Sequence, residues 1–261
     1  SARDTMIDFD QVSFAYSPEA PIFRDFSWRV EPGEFWAVLG PSGGGKSTLL
    51  RLIAGLLQPQ SGVVRVGGEI LRQPTPRNGL ILQDCELLPW STLRRNAELG
   101  LRVQRLQRPW RRWRQPDPAL DTAAIAARAE HWLQRLGIAA LAGRYPHQVS
   151  GGERQRCAIA RTLVTAARRL LMDEPFAALD VRTREALQEL TVRLCQEQGL
   201  TGVVVTHALE EAVFMGQRIL VLRRGRPVAA TVVENRHSCD AAFRASAACR
   251  ERCAELREAL S

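Results

Sequence analysis

The stretch Gly40-Pro41-Ser42-Gly43-Gly44-Gly45-Lys46-Ser47-Thr48 decides how this chain is read. It satisfies G-x-x-x-x-G-K-[ST], the pattern of a loop that wraps a polyphosphate. Glycines without Cβ let consecutive backbone N–H groups turn inward on one anion. The helix that follows adds the positive end of its dipole. Lys46 contributes a full charge near the β- and γ-phosphates, and the Ser47 hydroxyl is available to a divalent cation. The flanks agree with this. Phe35-Trp36-Ala37-Val38-Leu39 is a short apolar run, as expected of a buried parallel strand. Lys46 through Ala54 reads as a helix, and Gly55 is placed to stop it. The expected ligand is a nucleoside triphosphate.

A second glycine-rich segment lies far downstream: Val149-Ser150-Gly151-Gly152-Glu153-Arg154-Gln155. After it come a predicted helix and the apolar strand Arg169-Leu170-Leu171-Met172, which ends in Asp173-Glu174-Pro175. Two adjacent carboxylates at a strand end repel. At a separation of ~4 Å and an effective dielectric near 20 the cost is about 4 kcal/mol, which a divalent cation relieves.

Taken in this order, the two segments and the paired acids resemble the ATP-binding cassette (ABC) ATPase family. The resemblance covers nearly the whole chain. It implies an α/β fold: a P-loop NTPase, RecA-like core, with an N-terminal antiparallel β-subdomain and an inserted α-helical subdomain. It also implies ATP and Mg²⁺ as cofactors and hydrolysis of ATP to ADP and phosphate. Residues 40–48 would hold the phosphates. Tyr16, in Ser13-Phe14-Ala15-Tyr16, resembles the aromatic that stacks on adenine; a tyrosine at a strand edge is the plainer reading. Ser47, Gln83 and Asp173 resemble the Mg²⁺ set, Glu174 the general base, and His207 the switch histidine that contacts the γ-phosphate, with Lys46 as the third catalytic group. In the family the signature loop caps the ATP of a partner subunit. Ser150, Gly151, Gly152, Glu153 and Asp180 are therefore expected to act in trans, in a head-to-tail homodimer. Two positions depart from the commoner pattern: Val149 stands for leucine and Glu153 for glutamine.

Local strings narrow the branch. Glu86-Leu87-Leu88-Pro89-Trp90 and Tyr145-Pro146-His147-Gln148 resemble bacterial importer ATPases, most closely the nitrate, sulfonate and taurine group. Leu87, Leu88 and Trp90 would then meet the membrane subunit; simple packing of the helical subdomain is the alternative. The implied partners are integral membrane permease subunits and, indirectly, an extracytoplasmic solute-binding protein. The implied location is the cytoplasmic face of the inner membrane. No nucleic-acid partner is expected. The alternatives are a soluble ABC ATPase acting on nucleic acid or ribosomes, supported only by charge, and an export-type cassette, which shares the catalytic residues.

The 261 residues suffice for a substantial core. No stretch approaches 18 uninterrupted apolar residues, and the N-terminal residues lack a charged-then-apolar signal pattern. The net charge of +8 comes almost wholly from arginine, since Lys46 is the only lysine. A basic surface suits either nucleic acid or an anionic membrane face. The six cysteines show no metal-ligand spacing and read as reduced thiols. Cys249 and Cys253, four apart on a predicted helix, are expected to share exposure.

Along the chain, residues 6–34 read as antiparallel strands with turns at Ser17-Pro18 and Pro32-Gly33. A further strand lies around Val63-Val66. Residues 85–155 read as mostly helical, with amphipathic stretches near 119–136. Residues 156–222 alternate helix and strand, as a parallel sheet requires. A hairpin is expected over 223–233. The division is one ABC ATPase domain over 1–237 and a polar, alanine-rich helical tail over 238–261. The Arg/Trp-rich run Arg105–Pro116 reads as a solvated basic loop, or as a segment leaning on the membrane face.

Overall fold

The computed structural model describes residues 6–106, 120–223, 225, 227–235 and 241–260. It divides into two compact units. The first comprises residues 1–80, 168–174 and 188–261, and the second comprises residues 81–167 and 175–187.

The first unit opens with β1 (Ile7–Ala15) and β2 (Pro21–Val30), an antiparallel pair. Ile7, Phe9, Val12 and Phe14 of β1 are buried. Strict alternation would bury residue 11 rather than 12. The strand instead carries an extra residue: the register shifts between Phe9 and Val12, and Gln11 takes φ 48°. That bulge returns the apolar side chains to one face. With β4 (Ser61–Val66) and β5 (Glu69–Ile70) these strands form a sheet in the order β2-β1-β4-β5.

The larger sheet holds β3 (Phe35–Leu39), β6 (Asn78–Ile81), β7 (Arg169–Asp173), β8 (Thr201–Thr206), β9 (Arg218–Arg223) and β10 (Ala229–Glu234). Its order is β10-β9-β3-β8-β7-β6. β3 runs parallel to β8 and β9, β7 runs parallel to β8, and β10 pairs antiparallel to β9 as the expected hairpin. Every residue of β3 and β8 is buried, which is why these strands read as continuous apolar runs without alternation. Gly202 is required where the two strands touch: a Cβ there would lie 2.3 Å from the Phe35 ring.

Helix α1 (Lys46–Ala54) ends at Gly55, whose φ of 75° is the left-handed cap foreseen for it. It presents Leu49, Leu50, Leu52 and Ile53 to a core that includes Trp36, Val38, Leu171 and Val205. In the second unit, α2 (Leu93–Leu106), α3 (Thr122–Arg135) and α4 (Gly151–Leu163) pack on one another. Asp121 caps α3 by accepting the Ala124 N–H at 2.6 Å. Helix α5 (Val181–Gln198) starts in this unit and continues into the first. Helix α6 (Leu209–Met215) follows β8.

The tail departs from expectation in two respects. It is two helices, α7 (Ala241–Arg244) and α8 (Ala247–Leu260), because the Ser246 hydroxyl accepts the Cys249 N–H and starts a new helix. Cys249 and Cys253 are buried, not exposed: with Leu256 they form the face that α8 turns inward, packing on α6 and β9. The Arg/Trp-rich run lies outside the described residues from position 107 onward. Among the described residues, no helix is long and apolar enough to cross a membrane.

Candidate active site

Parallel strands deliver their following loops to one edge of a sheet. The register here pairs Leu39 with Thr206 and Asp173 with Val205. The loop after β3, the acids that end β7, and the histidine after β8 therefore share that edge.

The loop after β3 uses its glycines for distinct reasons. Gly43 and Gly45 sit at φ 77° and 83°, where L side chains are strained. A Cβ on Gly40 would fall 2.8 Å from the Leu222 carbonyl oxygen. Gly45 is the N-cap of α1, with no side-chain cap and no acidic residue in the first turn. The opening N–H groups of that helix thus have no competing side-chain acceptor. Residues 43–48 line a cavity of about 200 Å³ together with Tyr16 and Ile22. The Tyr16 hydroxyl lies 3.2 Å from Thr48 Oγ1, and its ring meets Phe14 edge-on at 5.0 Å. That leaves Tyr16 60% exposed at the cavity rim. Ser47 is half-buried beside it.

Lys46 is 5% exposed and donates to the carbonyls of Gly40 at 2.9 Å and Pro41 at 3.0 Å. Its Nζ also lies 3.7 Å from Glu174 Oε1. Burial pulls its pKa below the usual lysine value, and the charges of Glu174 and Asp173 oppose that shift. The other oxygen of Glu174 lies 3.1 Å from His207 Nδ1. Glu174 takes φ 45°, unusual for a residue with Cβ, while its N–H donates to the Val205 carbonyl at 2.9 Å. The turn holds its carboxylate between a lysine and a histidine. Asp173, one residue back, is half-buried.

The second unit carries the other sequence-predicted residues. Ser150 is the N-cap of α4 and forms a capping box with Glu153. Gly151 and Gly152 are pressed on neighbours: a Cβ on Gly152 would lie 2.5 Å from Thr183 Cγ2, and one on Gly151 would lie 3.2 Å from Leu179 Cδ2. Asp180 accepts the Thr183 N–H at 3.0 Å, and hydrogen bonding from Thr183 lowers its pKa. Gln83 is exposed in the turn after β6. Of the apolar residues beyond it, Leu87 and Leu88 are half-buried and Trp90 is 74% exposed.

Sequence reasoning missed what holds that turn. Cys85 and Glu86 both have positive φ, 61° and 43°. Arg161 of α4 grips both carbonyls at 2.7 Å, and the Cys85 thiol donates to Gln155 Oε1. Asn96, fully buried, accepts the Leu88 N–H and donates to the carbonyls of Leu88, Ser91 and Thr92. The only trace of this in the sequence is an asparagine on the apolar face formed by Leu93, Ala97 and Leu101.

The family profile described as ABC transporter matches residues 23–177. The chain belongs to the ABC transporter family. As a cassette of that family it is an ATP-binding ATPase. It is 42% identical over 205 residues to the nitrate import ATP-binding protein NrtC of Synechococcus elongatus, covering 77% of this chain but only 29% of that protein. It is 38% identical over 215 residues to the nitrate import ATP-binding protein NrtD of a Synechocystis species, covering 82% of this chain and 76% of that one. It is 41% identical over 217 residues to the taurine import ATP-binding protein TauB of Chromobacterium violaceum, covering 83% and 78%. The fold matches the cassette MJ0796, solved as a dimer in a post-hydrolysis state with ADP and Pi. That match has TM-score 0.72 and 29% identity, and covers 88% of this chain and 99% of that one.

Proposed function

We propose that this cassette powers import of a small anionic solute, such as nitrate, a sulfonate or taurine, as a homodimer docked on membrane permease subunits at the cytoplasmic face. An extracytoplasmic binding protein would deliver the solute to the permease. The observation that carries the catalytic part is the Lys46–Glu174–His207 cluster at the carboxyl edge of the sheet, beside the cavity of the glycine loop. The relatives, named for nitrate and taurine import, support the substrate class.

In this reading ATP enters the cavity with its phosphates on the first turn of α1. Lys46 leaves the Gly40 and Pro41 carbonyls and Glu174 for the β- and γ-phosphates. Glu174, released, orients water for in-line attack, and His207 contacts the γ-phosphate. The donors suit Mg²⁺, which takes one or two carboxylates, further oxygens and the substrate phosphates. Ser47 would offer a hydroxyl, Asp173 a carboxylate, and Gln83 is the third proposed ligand. When bound, the ion would neutralise the phosphate charge and the Asp173–Glu174 repulsion. Ser150, Gly151, Gly152, Glu153 and Asp180 would act on the nucleotide held by the partner.

Affinity purification of this chain from detergent-solubilised native membranes tests the proposal. A stoichiometric multi-span protein should come with it. Recovery of only soluble proteins or nucleic acid would defeat the importer reading.

A further inference from the structure

The signature loop holds its own hydroxyl back. Ser150 Oγ donates to Glu153 Oε2 at 2.8 Å, the Ser150 N–H donates to the same oxygen at 2.7 Å, and the Glu153 N–H returns to Ser150 Oγ at 3.3 Å. The proton that Ser150 would offer a phosphate is already engaged, and by an acceptor that carries charge. O–H bonds to a carboxylate are stronger than bonds to a neutral oxygen. Leu179 and Thr183 leave no room for a side chain beside the loop: a Cβ on Gly151 would lie 3.2 Å from Leu179 and one on Gly152 2.5 Å from Thr183. Nor is the carboxylate neutralised by the next residue: Arg154 directs its Nη1 at the Val149 and Pro146 carbonyls. Among the described residues no basic side chain pairs with Glu153.

We propose that Glu153 sets the ATP concentration at which two cassettes close, by competing with the γ-phosphate for the Ser150 hydroxyl and by placing like charge beside it. The proposal rests on the reading that Ser150 caps the partner's ATP. Glutamine at this position separates charge from capping. Its amide oxygen still accepts the Ser150 N–H, so the helix start is kept, but the negative charge is gone.

The experiment follows dimer formation by light scattering against MgATP concentration, in chains that carry Glu174→Gln to block turnover. Adding Glu153→Gln should lower the half-point about three- to tenfold, the size of a screened contact between partly exposed charges. The gap should shrink between about 50 mM and about 500 mM salt, because the Debye length falls several-fold toward contact distance. The thermal midpoint of the nucleotide-free chain should stay where it was, since a capping role alone predicts no gain in dimerisation. Ser150→Ala on both backgrounds should remove most of the gap. Closure at the same or a higher MgATP concentration with Glu153→Gln would overturn the proposal, as would a gap that persists undiminished without the Ser150 hydroxyl. If the Glu174→Gln chain never dimerises with MgATP, the paired-cassette reading falls and the proposal falls with it.

Discussion

Glu174 owes its position to a single backbone angle. At φ 45° the chain turns out of β7 just after Asp173, and the carboxylate comes to lie between Lys46 and His207. Glu174→Gln keeps the size and the turn but not the basicity. It should bind ATP normally and lose about 10²–10³ in turnover, as measured by phosphate release with ATP affinity determined in parallel. Lys46 offers a second handle at this scale, being the only lysine in the sequence. Amine-reactive reagents should modify it slowly when free and scarcely at all under saturating ATP, read by peptide mass spectrometry. The thiols titrate as buried groups. Burial pushes Cys85 up to about 11 and Cys157 up to about 12, from an ordinary value of 9.0. A folded pKa above the unfolded one gives stability that is fully present below pH 9 and is lost progressively from there until the folded value of about 11 or about 12 is passed. Denaturant titrations should show alkaline loss of roughly 2 kcal/mol per thiol by about pH 10.5, absent for position 157 in Cys157→Ala.

At the scale of elements, the segment between β6 and α2 has no regular structure of its own, yet it is tightly held. Arg161 secures its left-handed start, and Asn96 satisfies four backbone groups near its end. Asn96→Ala would strip the Leu88 N–H and the Ser91 carbonyl of their partner, while the Leu88 and Thr92 carbonyls keep the N–H groups of Ser91 and Asn96. It should cost about 2–4 kcal/mol with little change in denaturant dependence, and limited proteolysis should appear within residues 85–92. The helices and strands themselves were legible because each obeys a local rule. Gly55 stops α1, and β3 and β8 are continuous apolar runs because both faces are covered. The tail was not legible to the same degree. Its composition is polar and alanine-rich throughout, so nothing in it announced the break at Ser246 or the burial of Cys249 and Cys253, which depends on what α8 packs against.

For the whole molecule, the decisive feature is that three loops far apart in the chain share one sheet edge. Any ligand that bridges them should stabilise the fold by mass action, by about 2.7 kcal/mol at a hundred times its dissociation constant. MgATP should therefore raise the thermal midpoint of this chain, and the rise should vanish in Lys46→Ala. The sequence by itself determined the ligand class, because a glycine pattern dictates where backbone N–H groups can converge, and that is a local property of the chain. It likewise determined the α/β class, through hydrophobic runs and periods. Only the tertiary structure decided which side chains meet. Strand order and register bring Glu174 to Lys46 and His207, and the packing of α4 aims Arg161 at a strained turn. Such contacts follow from long-range pairing and packing, whose energies are shared over many residues and leave no mark in any short stretch of sequence.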